Sequence, residues 1–192
     1  LSGIEIYGIL QGKFLDEDFG SDSDSTSGDY WNRLLTSACT FNSAPAMCLD
    51  SNSSQPLQVH HTGTDWGTSL GKKVYSRGRV SLEFKVTNFE LKSKTMGLVI
   101  GVVRSSYRPV HGQNFLSQGW GIIAANGNKA QGTSITTYEC KQYEKDSIIT
   151  VLLDFDEKTI AFAKDGKRFG VAFKDLEESV VIAVSSETES TV

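Results

Sequence analysis

The stretch LLDFDEKTIAFAKDGKRFGVAF, residues 152–173, decides the fold. It consists of three short apolar pieces parted by two tight turns, and each piece is too short for a helix and rich in β-branched and aromatic residues. The run IITVLL, 148–153, leads into it and is apolar on both faces, as a strand packed centrally in a sandwich is. Asp154 marks the exit of that strand, where a carboxylate can accept hydrogen bonds from the backbone N–H groups of the turn Asp156-Glu157-Lys158. The chain returns as TIAFAK, 159–164, with Ile160 and Phe162 on one face and Ala161 and Ala163 on the other, so Phe162 is expected between two sheets. Asp165-Gly166 then supplies the positive φ angles of a two-residue hairpin loop. RFGVAF, 168–173, carries Phe169, Val171 and Phe173 at period two, and Gly170 leaves room for a neighbouring backbone or ring.

Working outward, strand patterns recur at RVSLEFKV (79–86), MGLVIGVV (96–103), GWGIIAA (119–125), SITTYE (134–139) and VVIAVS (180–185). Asn126-Gly127 is a second hairpin signal. Such spacing, with Gly or Asn/Asp-Gly at the junctions, predicts an all-β antiparallel sandwich rather than βαβ units. The N-terminal part differs. GIEIYGIL, 3–10, alternates and predicts an edge strand, and DYWNRLLTSA, 29–38, is the single helix candidate, with Trp31, Leu34, Leu35 and Ala38 on one face and Asp29 as cap.

Residues 1–55 hold two basic side chains against eight acidic ones, a net of −6, whereas the remaining 137 hold 17 basic and 15 acidic. No basic stripe stands out, so the footprint of a nucleic-acid binder is missing. The acidic excess sits in DEDFGSDSDSTSGD, 16–29, which reads as a solvated linker. As a calcium loop begun by Asp22 and Asp24 it lacks the required glycine and final glutamate. We therefore divide the chain into an N-terminal extension, 1–55, and a sandwich domain, 56–192. The first residue is Leu and no apolar run approaches a membrane span, which suggests a piece of a larger multidomain chain with no membrane partner. Cys39, Cys48 and Cys140 fit neither a disulfide framework nor a zinc site, which points to an intracellular, cytoplasmic home.

The chemistry-bearing residues do not assemble an enzyme. His60 and His61 are adjacent and in a strand would face opposite ways, and Cys140 has no histidine nearby in sequence. Gly119-Trp120-Gly121-Ile122-Ile123-Ala124 fits a dinucleotide pattern but runs into a hairpin instead of a helix. No catalytic residue, metal ligand or cofactor is expected.

The arrangement D-S-I-I-T-V-L-L-D-F-D, then T-I-A-F-A-K-D-G-K, then F-G-V-A-F resembles that of SPRY domains. RGRVSLEFKV, MGLVIGVV and QGWGI are similar to the family's upstream strands, and VVIAVSS to its last, with Ile182 in place of the usual proline. Lys145-Asp146-Ser147 replaces the common Gly-Asp, and the first 55 residues match nothing in the family. The resemblance spans about residues 57–186. It implies a bent, concanavalin-like β-sandwich that binds a protein or short peptide through loops at one end without catalysis, as the adaptor or substrate-recognition part of an assembly such as a ubiquitin ligase. A lectin-like sandwich for carbohydrate or another small ligand is the alternative, since fold does not fix function.

Recognition residues follow from loop composition. SSYRPVHGQNFLSQ, 105–118, is the longest connection and carries Tyr107, Arg108, His111 and Phe115. Loops on a rigid scaffold carry function, and Tyr, Arg and Trp anchor interfaces. The family's topology brings Trp66 to the same end, and its loop placement adds Asn126, Lys129 and Gln131 around the Asn-Gly turn, and Tyr138.

Overall fold

The computed structural model describes residues 65–89, 96–176 and 179–187, together with the backbone of strands at 4–7, 41–43, 47–49 and 58–61. The strands in chain order are β1 Ile4–Tyr7, β2 Phe41–Ser43, β3 Met47–Leu49, β4 Gln58–His61, β5 Gly67–Gly71, β6 Arg79–Asn88, β7 Leu98–Arg104, β8 Gly119–Ile123, β9 Lys129–Gln131, β10 Ser134–Thr136, β11 Ile148–Asp154, β12 Thr159–Lys164, β13 Lys167–Phe173 and β14 Val180–Ser186. They form two antiparallel seven-stranded sheets, ordered β13-β12-β11-β6-β1-β4-β3 and β10-β9-β8-β7-β14-β5-β2. Among the described residues the only helix is a 3-10 turn at Phe115–Gln118. The acidic stretch 16–29 and the expected helix at 29–38 lie outside the described residues.

The core between the sheets follows from alternation. Phe84, Val151 and Phe162 from the first sheet meet Ile100, Ile122 and Val184 from the second, all of them buried. β11 lies between β6 and β12, with Ile149, Val151 and Leu153 buried toward the opposite sheet, while Ile148 at its start is exposed. Asp154 Oδ1 accepts from the N–H groups of Asp156 and Glu157 at 3.1 and 2.9 Å. Its other oxygen receives Arg79 Nε at 2.9 Å from the neighbouring strand, so one carboxylate shapes the turn and ties β11 to β6. Asp165 and Gly166 take φ of 51° and 79°, the primed geometry the hairpin needs.

Several expectations are corrected. The N-terminal strand is not an edge: β1 pairs with both β4 and β6. In β13 Val171 is exposed and Ala172 buried, because irregularities in the β12–β13 register break period two. On the Cβ side of Gly170 the nearest atom is Glu139 Oε1 at 4.0 Å, and the ring of Tyr138 reaches this residue only through its hydroxyl on the Gly170 carbonyl. The Asn126-Gly127 turn is not a two-residue loop. Five residues separate β8 from β9, Gly127 alone there has positive φ, and Asn126 Oδ1 accepts from Asn128 N–H at 2.9 Å. SITTYE shortens to β10, while β2, β3, β4, β5 and β9 carry no signal strong enough to read in the sequence.

Candidate functional site

The loop after β7 does not hang free at the end of the sandwich. It folds over the outer face of the second sheet, where Tyr107, Phe115 and Leu116 pack on Val99, Val103 and Val181 in a small core of their own. Hydroxyl groups beneath tie it down. Thr68 and Ser185 share a buried hydrogen bond of 2.7 Å, Thr68 Oγ1 donates to the Gln113 carbonyl at 3.2 Å, and Ser185 Oγ accepts from Phe115 N–H at 3.2 Å. Asn114 caps the 3-10 turn by accepting from Leu116 N–H at 3.1 Å. Two neighbours lock on at its flanks: Gly112 N–H donates to the Trp66 carbonyl at 2.9 Å, and Gly132 N–H, in the β9–β10 turn, to the Leu116 carbonyl at 2.7 Å.

These three pieces enclose an open groove of about 590 Å³ lined by Trp66, Gly112, Gln113, Asn114, Ser117, Gly132 and Thr133. A recess of about 340 Å³ adjoins it past Ser117 and Thr133, running along Gln118, Gln131 and Ser134 to Arg104 and Trp120. The side chains of the main groove are one half-buried indole with amides and hydroxyls. Arg104 lies over the Trp120 ring at 6.0 Å.

Trp66, the 105–118 loop and Gln131 are thus brought together, but not every residue in them is available. Tyr107 and Phe115 are buried, the tyrosine hydroxyl donating to the Asn114 carbonyl at 3.4 Å, so both serve as the loop's anchors. Arg108 is exposed, with Nη1 donating to the carbonyls of Ser106 and Tyr107, and His111 is exposed beside Gly112. Asn126, on the loop between β8 and β9, is absent from the lining of both hollows.

Lys129 and Tyr138 belong to a second cluster facing β13. Lys129 Nζ donates to the Ala172 carbonyl and Tyr138 OH to the Gly170 carbonyl, both at 2.5 Å, and the tyrosine ring meets Phe162 and Phe169 edge-on. Burial is the main cause that pushes the Tyr138 phenol up to about 12, from an ordinary 10.0. The folded state therefore holds this proton more tightly than the unfolded chain. The resulting stabilisation is complete below about pH 10 and is lost as pH rises toward about 12. Urea midpoints measured across that range should fall for the wild type and fall less steeply for Tyr138→Phe. Equal slopes would place the phenol in water.

Sequence reasoning missed Gln113, Asn114, Ser117, Thr133 and Ser134. The first three lie inside the 105–118 loop that the sequence already singles out, and the one signal for Thr133 and Ser134 was the Gly132-Thr133 turn. Cys140 is buried, with its thiol pushed up to about 11 chiefly by burial, and so stays protonated near neutral pH. Among the described residues no three His, Cys, Asp or Glu side chains gather to hold a metal, and no helix is long and apolar enough to cross a membrane.

The family model for the SPRY domain matches residues 81–192. The chain belongs to the SPRY domain family. No curated protein sequence matches it. Among solved structures, the SPRY domain of human HERC1 superposes with a TM-score of 0.65 at 19% identity, covering 79% of this chain and 92% of that one. A second human SPRY domain gives 0.58 at 16% identity, covering 78% and 92%. At such identities the likeness speaks for the fold. SPRY domains are generally non-catalytic modules that bind proteins or peptides.

Proposed function

We propose that this SPRY domain is the recognition part of a larger intracellular, cytoplasmic protein, an adaptor such as the substrate-binding arm of a ubiquitin ligase. Its ligand is an extended peptide segment of a partner, held in the groove between Trp66, residues 112–117 and the turn at 132–133. The observation that carries this reading is the groove's construction. A half-buried indole and a set of amide and hydroxyl side chains converge on one open cleft, over a loop whose apolar residues are pinned to a sheet. Amides and hydroxyls can both donate and accept, which suits a peptide backbone, and an indole offers a large rigid contact. The same indole and amides would also suit a sugar, which keeps a lectin-like module as the second reading.

A displayed random-peptide library and a glycan array, each screened with the wild type and with Thr133→Arg, test it. Thr133 is exposed, so the arginine fills the groove without disturbing the core. Peptides selected on the wild type should lose binding to Thr133→Arg and Trp66→Ala by roughly thirtyfold, the equivalent of one anchor of about 2 kcal/mol. Peptides that bind both variants as they bind the wild type would move recognition elsewhere, and glycans recovered in their place would favour the second reading.

A further inference from the structure

On one side of the sandwich each sheet ends in a strand, and the chain treats the two ends differently. β13 ends the first sheet. Two of its carbonyls are taken by Lys129 and Tyr138, and it carries Lys167 and Arg168. Charges and covered backbone are how natural sheets avoid pairing with other chains. β10 ends the second sheet and has none of these devices. Its register on β9 is unbroken from Ser134 opposite Gln131 to Thr136 opposite Lys129, and all three of its residues are exposed. The run Ser134-Ile135-Thr136-Thr137 has no charge, no proline and no glycine.

The turn geometry fixes which backbone groups are open. Gln131 and Ser134 flank a two-residue turn and so form the hydrogen-bonded pair, and alternation then turns the N–H and C=O of Ile135 outward. Among the described residues no strand lies beyond β10. Ile135 is 45% exposed and stands opposite Ala130, a member of the small outer core.

We infer that β10 is a platform for strand addition. The peptide held in the groove continues as an extended segment, bonds through its main chain to Ile135, and lays an uncharged aliphatic or β-branched side chain beside the Ile135 side chain. This rests on the peptide reading of the groove. Three features select that occupant. Thr133 lines the groove and Ser134 the adjoining recess, so the cleft opens directly onto the strand. The ledge from Gln131 to Thr137 is uncharged and offers nothing to a charged segment. Three strand residues span only about 10 Å and offer one outward main-chain N–H and C=O pair, whereas a stable dimer buries roughly 800 Å² per partner, so the ledge suits a short segment better than a second copy. Main-chain pairing for affinity with a side-chain pocket for choice is the general logic of such additions.

The test uses peptides selected from the displayed library on the wild-type domain, and reads amide hydrogen exchange at Ile135. Saturating peptide should slow exchange of the Ile135 amide at least about tenfold. Ile135→Pro deletes that outward N–H while leaving the β9–β10 bonds intact, and should weaken the peptide at least about fivefold, the loss expected for one main-chain hydrogen bond. Ile135→Ala, which keeps the amide, should weaken it less. A peptide that depends on Trp66 and Thr133 but leaves the Ile135 amide unprotected overturns strand addition and spares the groove. If selection yields no peptide, both readings fall. Protection that rises with protein concentration in the absence of peptide overturns the peptide occupant in favour of a second copy.

Discussion

Phe162→Ala should lower the stability of this domain by about 3–5 kcal/mol, with a fall of roughly 10 °C in the melting temperature. The ring is fully buried, at 0% exposure, in the middle of β12. It meets Tyr138 and Phe173 edge-on at centroid separations of 6.1 and 6.5 Å. Truncation removes the transfer energy of the ring and leaves a cavity that cannot collapse, because β12 is paired on both sides and cannot move inward alone. Thermal unfolding followed by circular dichroism measures it. A shift of one or two degrees would mean that Phe162 does not face the opposite sheet.

Gly127→Ala should be at least as damaging, and Gly166→Ala supplies its control. Both glycines have positive φ, 70° and 79°, so each substitution costs about 1 kcal/mol or more in backbone strain. At Gly166 nothing lies within 4 Å of the added methyl. At Gly127 the methyl would press on the Cys140 carbonyl, 2.5 Å from its carbon and 2.7 Å from that of Lys141. Backbone cannot step aside as a flexible side chain can, so the segment 139–143 must shift and Tyr143, buried beneath it, must shift with it. The expected loss for Gly127→Ala is above about 3 kcal/mol by urea unfolding, against about 1 kcal/mol for Gly166→Ala. Equal losses would show that strain alone acts at both turns.

The strands that were legible in the sequence are those whose side chains make the case locally. β6, β7, β11, β12 and β14 are runs of Val, Ile, Leu and Phe between turn residues, and any partner would leave them strands. β5 was not legible, because Gly67-Thr68-Ser69-Leu70-Gly71 has the composition of a loop. It is a fully buried strand because Thr68 finds its hydroxyl partner in Ser185, 117 residues away. The irregularity in β13 depends on the pairing partner and leaves no mark on a period-two pattern. At the site, loop reasoning brought Trp66 and the 105–118 loop to one groove and Gln131 to the recess beside it, yet it could not tell which aromatic residues face water. Tyr107 and Phe115 have the same composition signature as binding anchors, and burial turned them into the loop's fastening. Lys129 and Tyr138 look like surface residues on short strands until β13, more than 25 residues on, is seen to receive them.

The position of β14 has a consequence for how the domain is made. It lies between β7 and β5 in the second sheet and pairs with β7 along its whole length, Val180 opposite Arg104 through Ser186 opposite Leu98. Translation delivers it after every other strand described. While the ribosome still holds these residues in its exit tunnel, β7 and β5 have no common neighbour, and the apolar side chains of β7 lack their cover. The β11–β13 meander, whose pairings are local, can form meanwhile. A chain that began to fold during synthesis would therefore have one sheet unclosed until its last strand emerged, and unclosed sheets of this kind are where chaperones act. A stop codon just before Val180 would yield a chain that aggregates or is degraded, and not a smaller working domain.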